Sequence, residues 1–578
     1  MTSLDATVTG ARGVTLDLQW RGILEPSIGR LYDDLSDTVI REYNDFIGRV
    51  SSPFMESLDW WVEAPASRNQ LLTRLFHVCT CIRLVEALVN RNIALNTILV
   101  DKRVDRIVFE NLLASLDATA RVVVSRPAWR RAVKWLRERV SPARSIVRIL
   151  IEVYSVKFLS RRSGTTGDNP LILVDTFVIP GFVEEDRYYP GLMEYVKANK
   201  KHNVRLVPQF MNFRIREFFA TVRRLRERPQ AYVFKENFLT FQDILWCALH
   251  WIRIRKLTFS DDCTFGAHAN LRKVVVDELR SAIGFRCALR GLINYRFAAG
   301  LRRANVKIAK TIDWFENHPM DRGWNCGFRQ FYPDAIATGY QGFHATFLAA
   351  RPVAHEQEAG VLPETVAVMG KAFEAELRDV LPGISLSVAP AFRYAWLWEK
   401  QRPKEASARK SAVLVALPYD KGAAEYILHL LPMIESSEPV TYLIKAHPGA
   451  PVELENTGPR GECEVRKIDG PLANWYQQAC VVVTGGITTA GLEAMAVGVP
   501  AIHVTRPGRR FEIRIPKQVP VECFAICDDC ASLQVALHKF LSRSDEERGR
   551  DYERAEKLRQ EFFEPVTDSG IASFLSVT

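Results

Sequence analysis

The sequence predicts an α/β protein with two Rossmann-like domains that face each other across a cleft, with helical insertions in the N-terminal half. Short β-branched strands alternate with helices from residue 412 to 527, as in a doubly wound parallel sheet. A similar strand–helix–strand rhythm runs through the N-terminal half, and 578 residues are too many for one core. We expect a first α/β domain at 1–395, a linker at 396–410, a second domain at 411–545, and a final helix at 546–578 that crosses back.

Composition narrows the class of protein. The hydrophobic fraction of 47% is ordinary for a globular chain, and no long uncharged apolar run predicts a membrane span. The 11 cysteines are scattered without a framework spacing, which favours reduced thiols in a cytoplasmic protein. Cys523, Cys527 and Cys530 would need a fourth ligand to hold a metal, and the strand and turn pattern around them favours no metal.

Basic residues are concentrated in two stretches that we predict as helical insertions, at about 126–162 and 215–256. The net charge of +10 admits nucleic acid as a partner, but no RRM, zinc-finger or KH signature is present. Peripheral contact with an anionic membrane at the inner face of the plasma membrane, or with an anionic glycolipid, suits these helices better. A merely solvated basic face is the alternative. For 215–256 we expect two helices, forming a lid, a membrane-facing arm or a buried pair.

A glycine- and threonine-rich loop organises the second domain. The β-branched residues 481–483 predict a buried strand, and Gly485 and Gly486 then turn the chain. Thr488 and Thr489 lie where the next helix begins. A helix N-terminus offers unpaired N–H groups to a phosphate, although a crossover without any ligand fits the spacing equally well.

A second motif precedes that loop. The strand at 440–445 runs into Lys445, Ala446, His447 and Pro448, and the proline holds His447 in extended geometry at the carboxyl end of the strand. Ligands bind at this edge of open α/β sheets.

Together these motifs resemble the nucleotide-binding domain of GT-B glycosyltransferases. Lys-x-His-Pro is similar to the motif of bacterial capsule and Kdo transferases, sialyl- and polysialyltransferases and CDP-glycerol polymerases. The resemblance implies that His447 contacts phosphate or ribose and assists catalysis, and that Glu493 accepts from the donor ribose. The implied nucleotide-binding residues are Lys445, His447, Gly485, Gly486, Thr488, Thr489 and Glu493. It also implies a nucleotide-sugar substrate, with no cofactor and no metal.

The N-terminal half supplies the candidate base and acceptor residues. Glu316 follows a predicted strand and lies near Asp313 and His318, so it is the best candidate to activate an acceptor hydroxyl. An exposed loop acid, or a salt bridge with Arg322, is the alternative. Arg pairs with carboxylate in a bidentate manner, so two arginines are candidate clamps for a sugar carboxylate. The candidate substrate-binding residues are Arg329, Arg393, Tyr340 and Gln341.

This half resembles bacterial surface-carbohydrate and O-antigen biosynthesis proteins, over roughly residues 60–545. Two departures stand out. The element at 314–319 is one residue longer than expected, and Gly342 replaces the histidine expected after Gly339, Tyr340 and Gln341.

The resemblance implies a glycosyltransferase that moves a CMP-activated acidic sugar, such as Kdo or a nonulosonate, onto a surface glycan, glycolipid or protein. The E-x7-E pattern of UDP-hexose enzymes is absent, because Ala501 stands eight residues after Glu493. A UDP-hexose transferase, a sugar-nucleotide epimerase, a CDP-glycerol phosphotransferase and a non-catalytic GT-B-like scaffold are the alternatives.

Overall fold

The structure is a computed structural model. It describes residues 13–20, 22–125, 128–159, 169–180, 183, 186–199, 203–211, 213–227, 231–344, 350–399, 412–450, 452, 460–512 and 514–577. Part of the predicted linker and part of the first basic stretch lie outside the described residues.

The described strands form three parallel sheets and one short antiparallel pair. The strands are β1 Val14–Asp17, β2 Leu95–Val100, β3 Arg121–Val124, β4 Leu171–Val178, β5 Val204–Phe210, β6 Thr264–Phe265, β7 Ala269–Asn270, β8 Ile308–Trp314, β9 Ile336–Gln341, β10 Thr365–Val368, β11 Ser385–Val388, β12 Ala412–Ala416, β13 Glu435–Lys445, β14 Arg460–Lys467, β15 Val481–Gly485, β16 Ala501–Val504 and β17 Phe524–Cys527.

Helices cover the faces of these sheets. They are α1 Pro26–Ser51, α2 Leu58–Trp61, α3 Ala64–Ser67, α4 Leu75–Asn90, α5 Arg103–Ser115, α6 Ala128–Leu159, α7 Leu192–Asn199, α8 Ile215–Arg226, α9 Phe241–Ala248, α10 His250–Arg253, α11 Arg272–Glu278, α12 Ala282–Arg303, α13 Pro319–Phe331, α14 Ala354–Glu358, α15 Lys371–Val380, α16 Trp396–Glu399, α17 Lys421–Leu430, α18 Ala490–Ala496, α19 Cys530–Leu541, α20 Asp545–Phe562 and α21 Asp568–Leu575.

Two six-stranded parallel sheets confirm the predicted GT-B-like class of two Rossmann-like domains. The middle sheet has the order β5-β4-β8-β9-β10-β11, so its strand order reverses between β4 and β8. The C-terminal sheet has the order β14-β13-β12-β15-β16-β17 and reverses between β12 and β15. The second order is that of a dinucleotide-binding Rossmann fold, whose ligands bind outside the strand carboxyl ends at the reversal.

An additional N-terminal lobe was not predicted as a separate unit. Its three-stranded sheet β1-β2-β3 is parallel, and α1, α4 and α5 surround it with their own apolar core. The second predicted insertion is also more divided than the two helices expected, because α8 ends at Arg226 and α9 begins afresh, with Thr240 as its N-cap and Asp243 completing a capping box.

The C-terminal helices return to the middle domain. α20 packs on both α18 and α15, and the Glu564 amide donates to the Met369 carbonyl oxygen at 2.7 Å. α21 follows and buries Phe574 against the rings of Tyr340 and Phe392. The exact domain boundaries stay predictions.

A buried ion triad joins the N-terminal lobe to the middle domain. Glu356 on α14 lies between Arg68 of the lobe, at 2.8 Å, and Arg322 of α13, and all three side chains have no exposed surface. Burial alone would raise the pKa of the Glu356 carboxyl, but Arg68 and Arg322 lower it overall. Asn317 donates to the same carboxylate at 3.0 Å, so the triad also holds the loop that follows β8.

We expect Glu356→Gln to reduce the free energy of unfolding by about 3–5 kcal/mol, because it leaves two buried guanidinium groups without a counter-charge. Urea unfolding followed by tryptophan fluorescence measures this. Glu374→Gln is the matched control, since Glu374 pairs with Arg378 on an exposed helix face and such a pair contributes at most about 1 kcal/mol. Equal midpoints for the two variants would contradict a supporting role for the triad.

Candidate active site

The loops at the two strand-order reversals face each other. In the middle sheet, residues 186–189 follow β4 and Glu316 follows β8. In the C-terminal sheet, Tyr419 follows β12 and the loop at 486–489 follows β15. Electrostatic interactions between residues of these loops indicate that the two carboxyl edges border one cleft.

The glycine pair has a structural reason in addition to any ligand. A Cβ on Gly485 would lie 2.3 Å from the Val504 carbonyl oxygen, so the close approach of β15 and β16 requires glycine there. Gly486 has φ +58, a left-handed conformation that favours glycine. The predicted turn is therefore present, and its first glycine serves the sheet.

The two threonines and Glu493 form a hydrogen-bonded group at the start of α18. Thr489 is the N-cap residue, and its Oγ1 donates to Glu493 Oε1 at 2.6 Å. Tyr476 donates to Glu493 Oε2 at 3.1 Å, while Thr488 Oγ1 accepts from the Ala490 amide at 3.2 Å. Because α18 has only 7 residues, its dipole is a weak source of positive potential and side chains must supply most of it.

Lys445 and His447 lie on the other side of the β12 end. Lys445 is the last residue of β13, and the His447 ring contacts the Tyr419 ring with centroids 5.3 Å apart. His447 Nδ1 accepts from the Gly449 amide at 3.0 Å, which leaves Nε2 directed elsewhere. The Lys-x-His-Pro segment therefore borders the same crevice as the glycine loop.

Arg187, which the sequence analysis missed, reaches this crevice from the middle domain. Asp186 fixes the loop by accepting from the amides of Tyr188 and Tyr189 at 2.8 and 3.1 Å. Burial and the adjacent Arg393 lower the pKa of Arg187, against the opposing effect of Glu493 across the cleft. The available sequence signal was its place after a buried strand, at the carboxyl edge where ligands bind.

Arg393, predicted as a clamp for a sugar carboxylate, borders the cleft, and the clamp role stays a prediction. Its guanidinium carbon is 5.7 Å from the Tyr188 ring centroid and 5.8 Å from that of Trp314. Burial alone would lower the pKa of Arg393, but Tyr394, Tyr188 and the carboxylates of Glu493 and Glu316 raise it overall. Arg393 is therefore near acids from both domains.

Three cations, Arg187, Arg393 and Lys445, converge here with the titratable His447, and positive charges on these groups repel one another. Burial and Arg187 lower the pKa of Lys445. Burial, Arg187 and Lys445 together lower the pKa of His447. Like charges this close favour an anionic ligand, because a bound anion relieves the repulsion.

Glu316 is held by two donors next to this cluster. Its Oε1 accepts from Trp314 Nε1, and its Oε2 bonds to His318 Nε2, both at 2.8 Å. Burial alone would raise the pKa of Glu316, but the hydrogen bond and charge of His318, together with Trp314 and Arg393, lower it overall. The same bond raises the pKa of His318 although burial opposes it. Asn69 of the N-terminal lobe contacts the other His318 nitrogen at 3.1 Å.

The alternative of a Glu316–Arg322 salt bridge is wrong, because Arg322 pairs with Glu356. Nor is Glu316 a fully exposed loop acid, since only 31% of its side chain is accessible.

A group of buried acids lies beneath the Glu316 loop. Asp321 accepts from the Glu316 and His318 amides at 2.8 and 2.9 Å, and burial raises its pKa to about 6. Asp313 on β8 and Asp175 on the adjacent β4 are buried, and in the described structure their Oδ1 atoms have no hydrogen-bond partner. Burial raises the pKa of both, to about 7 for Asp175. Asp313 accepts from Asn325 of α13 at 3.2 Å and has no exposed surface, so it does not reach the cleft.

Three predicted substrate residues do not join the cleft. Tyr340 is fully buried, donates to the Pro390 carbonyl at 2.6 Å and packs on Trp314. Gln341 ends β9 and is also buried. Arg329 is exposed near the far end of α13, about 15 Å along the helix axis from its start beside His318. There it lines a surface pocket with Trp61 and Gly360.

Gly342 has a structural explanation of its own. A Cβ at this position would lie 2.6 Å from the Trp314 ring, so a histidine would collide with the tryptophan that holds Glu316.

The clustered cysteines near the C-terminus are free thiols. The part of the chain that the structure describes contains no group of three side chains arranged to hold a metal ion.

No protein-family model and no curated protein sequence matches the chain. Among solved structures, MurG of Acinetobacter baumannii is similar at TM-score 0.39 and 11% identity, over 70% of this chain and 99% of that one. SnogD, a glycosyltransferase of Streptomyces nogalater, gives TM-score 0.41 and 13% identity over 70% and 99%. The N-terminal domain of trehalose-6-phosphate phosphatase from Candida albicans gives 0.38 and 10% over 71% and 97%. Scores this low add nothing to the fold seen in the sheets.

We expect Arg187→Ala to raise the pKa of His447, because it removes both a neighbouring cation and part of the burial. Histidine-selective NMR titration measures this, with the His447 signal assigned from its absence in His447→Gln. Arg329→Ala is the control and should leave the pKa of His447 unchanged, since Arg329 lies at the far end of α13. No change in Arg187→Ala would contradict the approach of the two loops.

Proposed function

We propose that the chain is a glycosyltransferase that takes a sugar from a nucleotide donor and passes it to a hydroxyl acceptor in the cleft. The supporting observation is the convergence of Arg187, Arg393, Lys445 and His447 beside Glu493, with Glu316 facing them. Mutually repelling cations suit the phosphate of a nucleotide, and a carboxylate on the opposite wall suits an acceptor hydroxyl.

The residues divide into three roles in this proposal. Lys445, His447 and Arg187 bind phosphate and stabilise the negative charge that develops on the leaving nucleotide. Glu493, oriented by Thr489 and Tyr476, accepts from the ribose hydroxyls. Glu316 takes the acceptor proton, and His318 orients it. Because these cationic side chains can balance the charge of the leaving group, we propose that the reaction needs no metal.

For the donor, we propose a CMP-activated acidic sugar, such as Kdo or a nonulosonate. The Lys-x-His-Pro resemblance supports this, and so does the presence of Arg393 beside the cleft, because arginine can pair with a sugar carboxylate. The second acid of the E-x7-E pattern is absent, and Ala501 in its position is fully buried at the start of β16. For the acceptor, we propose a surface glycan, a glycolipid or a protein, with the enzyme peripheral to the inner face of the plasma membrane.

We expect CMP to raise the thermal midpoint by a few degrees, because a ligand at 100 times its Kd stabilises the native state by about 2.7 kcal/mol. Differential scanning fluorimetry with CMP, CDP, UDP, GDP and ADP measures this. His447→Ala should lose the shift and Arg329→Ala should keep it. A phosphate also raises the pKa of a bound His447, so CMP should bind less tightly as the pH rises and His447 loses its proton.

The other results of this screen would redirect the assignment. A shift with UDP alone would favour a hexose transferase or an epimerase, and one with CDP alone a CDP-glycerol phosphotransferase. No shift with any nucleotide would overturn the proposal.

We expect Glu316→Gln to lower kcat by about 100- to 10,000-fold, the usual contribution of a general base, and to leave CMP binding unchanged. Transfer from a CMP-sugar to an acceptor, followed by CMP release, measures this. Glu364→Gln is the control, because Glu364 is exposed at the opposite end of the same sheet. A wild-type kcat in Glu316→Gln would contradict the assignment of Glu316 as the general base. Nucleotide binding without any turnover in the wild type would favour a non-catalytic scaffold.

A further inference from the structure

Helix α6 carries a continuous exposed apolar stripe. Six large side chains recur at spacings of 4, 7, 4, 3 and 4 residues, which places them within an arc of about 60° along about 33 Å of helix. Phe158 is the most exposed of them, at 91%. The six are Leu136, Val140, Val147, Ile151, Tyr154 and Phe158.

A second exposed stripe runs along α9 and α10. Its residues recur every three or four positions, and Phe241 is exposed at 61%. Ile283, at the start of the neighbouring α12, is also exposed. The stripe consists of Phe241, Leu245, Leu249 and Ile252.

Both stripes rest on a single packed core, so their exposure does not come from loosely attached helices. Ile149 and Val153 of α6 pack with Ile244 of α9 and Phe285 of α12. Lys157 of α6 donates to the Leu239 carbonyl, just before α9, so the two stripes adjoin. The buried pair predicted for residues 215–256 therefore describes only the inner face of these helices.

Basic side chains border the apolar stripes. On α6, Arg144 and Arg148 are exposed on one flank, at about 60° and 100° from Val147, and Lys157 is exposed on the other. Glu152, an acid on the same helix, pairs with Arg148 at 2.9 Å, so the net positive charge of this border comes from Arg144 and Lys157. Further exposed cations follow α10 and lie on α12: Arg255, Lys256 and Arg286.

We propose that this surface, formed by the outer faces of α6, α9 and α10, docks onto a bilayer that contains anionic lipid. A helix with an apolar face and flanking cations lies in the interface, with its apolar side among the acyl chains. The positive border selects anionic headgroups, each cation adding to the attraction. In the residues that the structure covers, no helix is long and apolar enough to cross a membrane.

The docked face belongs to the middle domain. Val156 and Leu159 of α6 pack against Ile172 of β4 and Val204 of β5, the strands at one end of the middle sheet. Docking through α6 therefore holds this domain at the lipid surface. The proposal concerns where the chain binds a bilayer and does not depend on the reaction in the cleft.

The test is co-flotation of the full chain with vesicles of phosphatidylcholine alone, or with about one third phosphatidylserine. We expect binding to the anionic vesicles, much weaker binding to the neutral ones, and loss of binding at high salt. The double variant Ile151→Ser/Phe158→Ser should bind at least about tenfold more weakly, and so should Phe241→Ser, because each loses buried apolar area.

Matched controls test whether vesicle binding depends on this surface or on exposed apolar side chains in general. Val521→Ser and Val535→Ser remove side chains of similar exposure, 71% and 69%, from the C-terminal domain, and should bind like the wild type. Because all the substituted side chains are exposed, thermal midpoints should not change. Absence of vesicle binding by the wild type, equal binding by the α6 variants, or equal affinity for neutral vesicles would overturn the proposal. So would loss of a wild-type self-association in these variants without any vesicle binding.

Discussion

The carboxylate of Glu356 is the point on which the arrangement of the site depends. It balances two buried guanidinium groups, Arg68 from the N-terminal lobe and Arg322 from the middle domain. It also accepts from Asn317, whose φ of +57 turns the chain between Glu316 and His318. A buried charge cluster tolerates little displacement, because every partner left behind is a desolvated ion. The lobe therefore sets the position of the candidate base through one acid that never contacts substrate.

The cleft depends on a different electrostatic arrangement, in which like charges from the two domains lie close together. The two sheets place their strand-order reversals opposite each other, which brings Arg187 to Lys445 and His447 although more than 250 residues separate them. Burial and repulsion together lower the pKa values of these groups, and the fold tolerates both. A fold that tolerates such repulsion in one place gains binding energy there when an anion enters. Glu493 compensates only in part, because it is a single negative charge beside both Arg187 and Arg393.

Much of the C-terminal domain could be predicted because its signals are local. The β-branched strand at 481–483, the glycine turn and the capping threonine all act within a few residues of chain. Arg187 could not be found in this way, since its role comes from a contact between domains and no motif surrounds it. Tyr340 is the opposite case, because the sequence predicted it to bind substrate and the structure buries it. A polar aromatic residue at a strand end matched a family pattern, but its hydroxyl finds a backbone partner inside the core. The N-terminal sheet was missed as a unit because its strands are separated by long helices.

The pKa of Glu316 links donor binding to activation of the acceptor hydroxyl in the proposed reaction. His318 lowers the pKa of Glu316, with further contributions from Trp314 and Arg393, so Glu316 is a stable carboxylate, which is a weak base. General-base catalysis is most effective when the pKa lies close to the working pH. A donor anion paired with Arg393 would cancel part of the positive potential that Arg393 exerts on Glu316. The pKa of Glu316 would then rise toward the working pH. In the proposed reaction, the arginine that recognises the donor therefore also adjusts the pKa of Glu316, within the larger effect of His318.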